Sequence, residues 1–375
     1  MKSGRRARVP NLGAIIATIA PGLEHVLADE LRTLGLKPEV STGVCRVPFS
    51  WENLACIEQQ SRVAAGLLVR LGRVRAPTLE ALADSVRKLP WKNVIHPTQK
   101  VVVDVSSHRS RLKRKDAVSR KVGLAIRDAL RGPRRGGRPV RDDVRVVVRL
   151  VEDKADISLD AIGERMHRRG WRRQTGRAPI RENLAAAILW SVGWRPGMTL
   201  VDPMCGSGTF PIEAATWARG LAPGAKRRPA SWRRFPAAPS ITTSAGASPV
   251  LTTIMAGDRD GAILEAAQSN ARRAGVDKVI RWNHVDATTR VPPEDEGWLV
   301  ANPPYGGRLG TARALGTWSS LGRALRSHWV GWNVALVAPS QGHIDALGIP
   351  LTPVIAFNNG GIPVTIYAGR VENSG

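Results

Sequence analysis

The spacing of hydrophobic residues changes along the chain and predicts where strands and helices lie. Residues 14–20 form a short apolar run typical of a buried strand, and apolar residues in 23–34 then recur at three- and four-residue steps, as on a helix face. Further strands are predicted at 40–49, 67–74, 101–106, 144–151 and 155–159, and helices at 51–63, 79–89 and 117–130. The first 160 residues therefore indicate an α+β region.

The second half alternates between the two periodicities more regularly. A helix is predicted from residue 180 to Gly193, and further helices at 210–219 and 263–274. Strands are predicted at 251–256, 279–282, 298–301, 332–338, 352–357 and 363–369. This order is typical of a doubly wound, mostly parallel sheet. Residues 221–250, rich in Ala, Pro, Ser and Arg, are interpreted as an insertion outside that sheet.

A glycine-rich turn follows the first short strand of this half. Leu200 and Val201 end an apolar run, Asp202 closes it, and the turn then reads Pro203, Met204, Cys205, Gly206, Ser207, Gly208, Thr209. The glycines let the backbone approach a ligand closely, and a helix starting at Thr209 offers free N–H groups to an anion. Cys205 is interpreted as a small packing residue in this turn, because no His-bearing partner motif accompanies it.

A second polar turn follows a neighbouring strand. Asn302, Pro303, Pro304 and Tyr305 come directly after the buried run 298–301. Because open α/β sheets bind ligands at the carboxyl ends of their strands, we expect both turns to face one site.

Two further acids end predicted strands of this sheet. Asp258 is placed to accept from both ribose hydroxyls, although it lies 56 residues after Asp202 instead of the usual ~20; the insertion accounts for the excess. Asp286 can accept from the exocyclic amine of adenine. No phosphate-gripping Lys follows the glycines, which favours an adenosine cofactor without a triphosphate.

The charge of the chain indicates a polyanionic partner. Its 375 residues carry 56 Lys and Arg against 31 Asp and Glu, a net charge of +25. Residues 1–180 hold 37 basic and 18 acidic side chains, or +19, whereas 181–375 hold 19 and 13, or +6. We therefore expect the amino-terminal half to bind nucleic acid and the carboxy-terminal half to carry the chemistry.

Two basic clusters are candidates for phosphate contact. The first lies in 109–121, and the second lies in 166–173, between the two halves. The candidate RNA-binding residues are Arg111, Lys113, Arg114, Lys115, Arg168, Arg169 and Arg172. Residues 131–138 are predicted to form a basic loop, and Trp171 is expected to pack the linker against a domain.

Composition also limits the classes of protein. Cys45, Cys56 and Cys205 are too few and too scattered for a zinc site or a disulfide framework, so no metal is predicted and a cytoplasmic setting fits. The apolar run near the amino terminus is too short for a membrane span, and no membrane association is expected.

The resemblance to a known family is carried by the glycine turn 202–209, Asp258, Asp286 and the Asn302–Tyr305 turn. Together they resemble the class I S-adenosylmethionine-dependent RNA guanine-N2 methyltransferases that carry an N-terminal THUMP domain. The group includes enzymes of 23S ribosomal RNA and of tRNA position 6. The resemblance implies a Rossmann-like methyltransferase domain preceded by an α+β ferredoxin-like and THUMP region. The implied domains are 1–64 ferredoxin-like, 65–162 THUMP, 163–180 basic linker and 181–375 methyltransferase. Family members often have Glu before the Arg that follows the Asn-Pro-Pro-Tyr motif, whereas here Gly307 precedes Arg308.

The resemblance implies a site in which S-adenosylmethionine is the cofactor and structured RNA the partner. Asp202, Pro203, Cys205, Gly206, Ser207, Gly208, Thr209, Asp258, Asp286 and Asn302 bind the cofactor, and Asn302, Pro303 and Tyr305 are catalytic. Adenine-N6 methylation remains an alternative because both substrates present exocyclic amines. A non-catalytic RNA-binding or assembly factor is a second alternative. The choice between tRNA and rRNA, and the oligomeric state, stay open.

Overall fold

The structure is a computed structural model that describes residues 12–131, 143–174, 179–241, 246–305 and 311–373, with backbone only for 311–313. The predicted basic loop 131–138 lies outside these residues beyond its first position. So do Gly306, Gly307 and Arg308, where the sequence departs from the family pattern.

The amino-terminal region builds one seven-stranded sheet in the order β2-β3-β1-β4-β7-β6-β5. The elements of its first part are β1 (Ala14–Thr18), α1 (Glu24–Thr33), β2 (Glu39–Ser41), β3 (Val44–Pro48), α2 (Trp51–Gln60) and β4 (Gly66–Arg75). Those of its second part are α3 (Leu79–Arg87), α4 (Trp91–Val94), β5 (Val101–His108), α5 (Lys115–Leu130), β6 (Val144–Val151) and β7 (Lys154–Asp160). Strands β5 and β6 pair in parallel, and the other neighbours pair antiparallel.

Strand β4 joins the two parts of this sheet. Its Val69 lies opposite Ile15 of β1 on one side and opposite Leu159 of β7 on the other. All three side chains are buried. The regions predicted as ferredoxin-like and THUMP therefore share a continuous sheet and a continuous core.

The carboxy-terminal region is the predicted doubly wound sheet, in the order β10-β9-β8-β11-β12-β14-β13. Its elements are α6 (Glu182–Ser191), β8 (Leu200–Asp202), α7 (Thr209–Ala218), β9 (Ile254–Asp258), α8 (Gly261–Ala274), β10 (Ile280–His284), β11 (Trp298–Ala301), α9 (Thr311–His328), β12 (Asn333–Ala338), α10 (Gln341–Leu347), β13 (Thr352–Asn359) and β14 (Ile362–Arg370). Strands β8 to β12 run parallel, and β14 is antiparallel to both of its neighbours. The chain direction across the sheet reverses between β8 and β11, the switch point where ligands bind.

Three details of the predicted elements were wrong. Residues 40–49 form two strands instead of one, because Gly43 takes a left-handed conformation (φ +72°) that turns the chain into a hairpin. Strand β9 starts at Ile254, and the apolar Leu251 before it is 98% exposed. Helices α4, α9 and α10 were not predicted.

The insertion 221–250 packs between the two sheets. Its described part contains one turn of 3₁₀ helix (Ser231–Arg234) and no strand. Trp232 is fully buried and stacks on Trp51 of α2 with ring centroids 5.9 Å apart. Arg233 pairs with Glu58 of α2 at 2.7 Å. This segment therefore fixes the carboxy-terminal sheet against the amino-terminal unit.

Buried arginines tie the same two regions together around α7. The Arg62 guanidinium donates to the Thr216 hydroxyl (3.1 Å) and carbonyl (3.2 Å). Arg169 donates to Glu213 (3.3 Å) and to the Arg62 carbonyl. Because burial of an unpaired charge is costly, these contacts must form together.

None of the helices in the described ranges has the length and apolar content that a membrane crossing requires.

Candidate active site

The glycine turn connects β8 to α7 as the sequence predicts. Gly206 and Gly208 both have left-handed backbones, with φ of +52° and +86°. A Cβ on Gly208 would lie 3.0–3.1 Å from Ile212 and Ala267, so only glycine lets α7 start this close to α8. A Cβ on Gly206 would meet nothing within 4 Å, because this residue borders the open cleft. Gly208 offers no side-chain cap to α7, whose first N–H groups are left for a ligand.

Asp258, at the end of β9, is attached to this turn. Its Oδ2 accepts the Gly206 N–H at 2.9 Å and its Oδ1 accepts the Asp260 N–H at 3.0 Å. Each carboxylate oxygen has a second lone pair, so the side chain can still accept from ribose hydroxyls. The insertion occupies the chain between α7 and β9, which explains the long spacing from Asp202.

Asp202 is the most buried acid of the site, with 1% of its surface exposed. Its Oδ1 accepts the Met204 N–H at 3.1 Å. Burial, together with the nearby Asp258 charge, holds the pKa of the Asp202 carboxyl well above its ordinary value. A cationic group of a ligand would restore the charged form of this carboxyl.

Asp286 follows β10 and starts a short 3₁₀ turn (Ala287–Thr289). Its Oδ1 accepts from the Thr288 N–H at 2.9 Å and the Thr288 hydroxyl at 2.7 Å. These hydrogen bonds lower the pKa of Asp286. It therefore presents a charged acceptor at the cleft.

The Asn302–Tyr305 segment leaves β11 beside the glycine turn. The indole N–H of the buried Trp318, on α9, donates to the Pro304 carbonyl at 3.3 Å. The Asn359 amide reaches the Tyr305 hydroxyl at 3.5 Å, and burial raises the pKa of that phenol. The segment is thus held from α9 on one side and from β13 on the other.

One cleft of about 1000 Å³ brings the predicted residues together. Gly208 alone among the predicted cofactor and catalytic residues is not part of its wall, because it faces α8. The wall also includes residues that the sequence did not single out: Pro179, Ile180, Arg259, Ile263, Gly316, Thr317 and Ser320. Thr317 and Ser320 are one helical turn apart on α9, a spacing that would have been recognisable had the helix been predicted.

The cysteine in this wall is not a nucleophile in this structure. Cys205 is 7% exposed, and burial raises the pKa of its thiol well above the ordinary value. Its backbone N–H donates to the Gly257 carbonyl at 2.9 Å, which packs the turn against β9. A packing role for Cys205 agrees with this environment.

The candidate RNA-binding residues have different environments. Lys113, Arg114 and Lys115 are exposed at the start of α5, and Arg168 is exposed in the linker. Arg111 is also exposed but pairs with Asp153 at 2.6 Å.

Two linker residues of that set are committed to internal contacts. The prediction that Arg169 contacts RNA was wrong. The Arg169 side chain is 2% exposed and forms an ion pair with Glu213. Arg172 points inward to the glycine turn and Glu182 instead of outward to solvent. Trp171 is buried at 3% exposure and packs the linker, as expected.

Comparison with protein families finds three matches in chain order. Residues 14–65 match the RlmL ferredoxin-like domain, 76–160 the THUMP domain, and 169–349 the RMKL-like methyltransferase domain. A putative RNA methyltransferase of Synechocystis is 30% identical over 364 residues, covering 93% of this chain and 94% of that protein. The ribosomal RNA large subunit methyltransferase K/L of Vibrio campbellii is 33% identical over 368 residues.

The chain spans about half the length of the K/L relatives it matches, with 93% of this chain and 52% of the Vibrio campbellii protein aligned. Among solved structures, SMU.472, a putative methyltransferase complexed with SAH, superimposes with a TM-score of 0.86 at 26% identity. That alignment covers 98% of this chain and all of the other. The fold, the order of domains and the residues of the cleft lead to one assignment: the chain belongs to the THUMP-domain-containing, S-adenosylmethionine-dependent RNA methyltransferases, as the resemblance of its motifs predicts.

Proposed function

We propose that this protein transfers a methyl group from S-adenosylmethionine to the exocyclic N2 of a guanine in structured RNA. The observation that carries the proposal is that Asn302, Pro303 and Tyr305 share one cleft with the glycine turn and with Asp202, Asp258 and Asp286. A non-catalytic RNA-binding factor would have no need to keep a cofactor turn and an amine-binding motif facing each other.

The residues of the cleft fit S-adenosylmethionine by the chemistry of their donors and acceptors. Asp258 holds the ribose hydroxyls, Asp286 accepts from the adenine amine, and the start of α7 receives the carboxylate of the methionine part. The buried Asp202 carboxyl suits a cation. When bound, the cofactor supplies an electrophilic methyl group on a sulfonium.

The Asn302–Tyr305 segment would prepare the amine for attack. An exocyclic amine is a poor nucleophile because its lone pair is drawn into the ring. The Asn302 side-chain oxygen and the Pro303 carbonyl accept its two N–H groups, which holds the nitrogen pyramidal with its lone pair free. Tyr305 stacks on the base after it leaves its helix. The product amine loses its extra proton readily, so no strong general base is required.

The substrate is proposed to be RNA because of the THUMP match and the charge of the amino-terminal half, +19 against +6. The relatives named for large-subunit ribosomal RNA support an rRNA substrate. A tRNA substrate remains open, since the THUMP-bearing family to which the motifs point also includes tRNA enzymes. The three scattered cysteines fit a reducing setting, which supports our proposal of a cytoplasmic location.

The test is incubation of the full chain with S-adenosylmethionine and unmodified rRNA or tRNA transcripts, followed by digestion to nucleosides and mass spectrometry. N2-methylguanosine is expected. N6-methyladenosine as the sole product would replace the guanine assignment with the adenine alternative, and the absence of any methylated nucleoside would favour the assembly factor.

A matched pair of asparagine variants tests the mechanism in the same assay. Asn302→Ala should abolish product formation while cofactor and RNA binding remain nearly intact. The control is Asn53→Ala, on helix α2 of the amino-terminal region, which should leave product formation unchanged. Undiminished N2-methylguanosine from the Asn302 variant would remove this residue from the mechanism.

A further inference from the structure

Arg172 is a linker residue whose guanidinium lies against the glycine turn. Its side chain is 11% exposed. Its two terminal nitrogens donate to the Ser207 hydroxyl at 3.2 Å and to the Thr209 hydroxyl at 2.7 Å. Its Nε donates to Glu182 at 2.9 Å, and one terminal nitrogen also reaches the Ile180 carbonyl at 3.2 Å. The planar fork thus bridges the two residues on either side of Gly208.

The bridged hydroxyls belong to the most buried part of the cofactor turn. Ser207 and Thr209 are 3% and 5% exposed, and both line the cleft. Gly208 between them has φ +86° and directly precedes α7. Because glycine has many accessible conformations, its left-handed state has to be fixed by neighbours. The Arg172 fork holds the side chains on both sides of it.

The charge of Arg172 lies at an unusual place for helix stability. A cation near a helix N-terminus opposes the helix dipole, and acids are the residues normally favoured there. Glu182 offsets this charge through its ion pair with Arg172. Trp171 covers the guanidinium, whose carbon is 5.2 Å from the centroid of the indole ring. The ion pair with Glu182 and the contact with the Trp171 ring keep the Arg172 guanidinium directed at the turn.

A second tie joins the same linker to the backbone of the turn. The Asn270 amide, on α8, donates to the Ser207 carbonyl at 3.1 Å and to the Gln174 carbonyl at 3.0 Å. Its oxygen accepts the Arg173 N–H at 3.3 Å. Asn270 is fully buried. Both the side chains and the backbone of the turn therefore depend on the position of residues 172–174.

We propose that Arg172 is a positioning residue for the cofactor turn, so that the linker following the RNA-binding region forms part of the S-adenosylmethionine site. This inference rests on the proposed function. It replaces the phosphate contact expected for Arg172 from the sequence. An RNA contact would change the affinity for RNA and its salt dependence, whereas a positioning role changes the affinity for the cofactor.

The experiment compares the wild-type chain of 375 residues with Arg172→Ala and Arg172→Lys by calorimetric titration with S-adenosylmethionine and by steady-state kinetics. Both variants should bind the cofactor at least about tenfold more weakly, the effect of losing one hydrogen bond to a charged group. Lysine should not rescue, because a point charge cannot span both hydroxyls. The KM for S-adenosylmethionine should rise, while the KM for RNA and its salt dependence stay unchanged.

A double-mutant cycle shows whether the effect passes through the turn. Thr209→Val removes one bridged hydroxyl, and the Arg172→Ala, Thr209→Val double variant should lose less cofactor affinity than the product of the two single losses. Multiplicative losses would mean that the two residues act independently and would overturn the proposal.

The matched control is Arg195→Ala. Arg195 also stacks on a tryptophan, Trp190, at 4.4 Å and donates to backbone carbonyls, but it contacts no residue of the turn. Its loss should lower the melting temperature without changing cofactor affinity. Wild-type affinity in Arg172→Lys would show that charge alone suffices and would overturn the bridging role. Failure of the wild type itself to bind S-adenosylmethionine would overturn the proposed function, and this inference with it.

Discussion

The carboxylate of Asp258 accepts the N–H of Gly206 at 2.9 Å, so the acid that ends β9 supports the turn that follows β8. Asp258→Ala should therefore lose the ribose acceptor and loosen the turn, and should weaken S-adenosylmethionine binding by at least about tenfold. Asp258→Asn, which keeps one acceptor oxygen, should lose less. Calorimetry on the full chain measures both, with Asp345→Ala on α10 as the control. Equal binding by Asp258→Ala and the wild type would remove the ribose assignment.

Because Asp202 is buried, its charged carboxylate is expected to lower the stability of the fold, even though it serves cofactor binding. A carboxyl whose folded-state pKa is raised stabilises the fold fully only below its ordinary pKa of about 3.9, and this contribution is lost as pH rises through the folded pKa. Asp202→Asn, which does not titrate, should melt at a higher temperature than the wild type without cofactor. The gain should be larger at pH 8 than at pH 4.5. A rise in melting temperature that does not depend on pH would show that the charge of Asp202 does not destabilise the fold.

The same substitution should weaken cofactor binding, because asparagine offers no charge to a cationic ligand group. Calorimetric titration at pH 8 compares Asp202→Asn with the wild type. Unchanged affinity in this variant would remove the cation-binding role of Asp202.

Trp318 is expected to affect turnover without touching the substrate. Trp318→Phe removes the hydrogen bond to the Pro304 carbonyl and should reduce kcat several-fold, with the Kd for S-adenosylmethionine unchanged. Trp332→Phe is the matched control, because Trp332 is equally buried in the same core and its indole donates to the Glu294 carbonyl at 3.1 Å. Both variants should melt at lower temperatures. An equal loss of kcat in both would reduce the role of Trp318 to stability alone.

The exposed cluster at the start of α5 should dominate the salt dependence of RNA binding. Replacing Lys113, Arg114 and Lys115 by Ala should lower the slope of log K against log salt by about 0.7–0.9 for each RNA phosphate that these side chains neutralise. S-adenosylmethionine binding should not change. The control removes the same number of exposed charges from the other half, at Arg272, Lys278 and Arg281. Equal effects of the two triple variants would contradict the division of labour between the halves.

Arg62 should be a major contributor to the stability of the contact between the two regions. Arg62→Ala leaves Glu213 and the Thr216 and Leu221 carbonyls without this buried donor and should cost about 3 kcal/mol in the free energy of unfolding. Arg73→Ala removes an exposed pair with Asp156 and should cost under about 1 kcal/mol. Urea denaturation measures both. A small effect at Arg62 would mean that water replaces its contacts.

The parts of the site that could be predicted from the sequence are those determined by local chemistry. Asp202 and Asn302 directly follow apolar runs, Gly206 lies in the turn after the first run, and parallel strands bring such ends to one edge. The inward direction of Arg169 and Arg172 could not be predicted, because their carboxylate and hydroxyl partners lie 44, 10 and 35 residues away. A basic cluster in a sequence shows its charge but not which members are buried.

Helix α9 was missed in the sequence analysis for a similar reason. The sequence before and within α9 is rich in Gly, Thr and Ser, which weakens the helical signal, and the helix is stabilised by burial of Trp318, Leu321 and Leu325. The insertion was correctly separated from the sheet, but its packing role depends on Trp51, which lies 181 residues before Trp232. Tertiary packing decided both features.

Strand β4 pairs with β1 on one side and with β7 on the other. Dividing the chain between the ferredoxin-like and THUMP regions would therefore leave an unpaired strand edge on each fragment. A fragment beginning at residue 66 would expose the side of β4 that pairs with β1, and a fragment ending before β4 would expose the opposite partner. Each would present a row of unpaired backbone N–H and C=O groups, ready to pair with a second copy. Self-association of either fragment would then reflect an unfinished sheet edge, and the two modules are best regarded as a single unit of expression and folding.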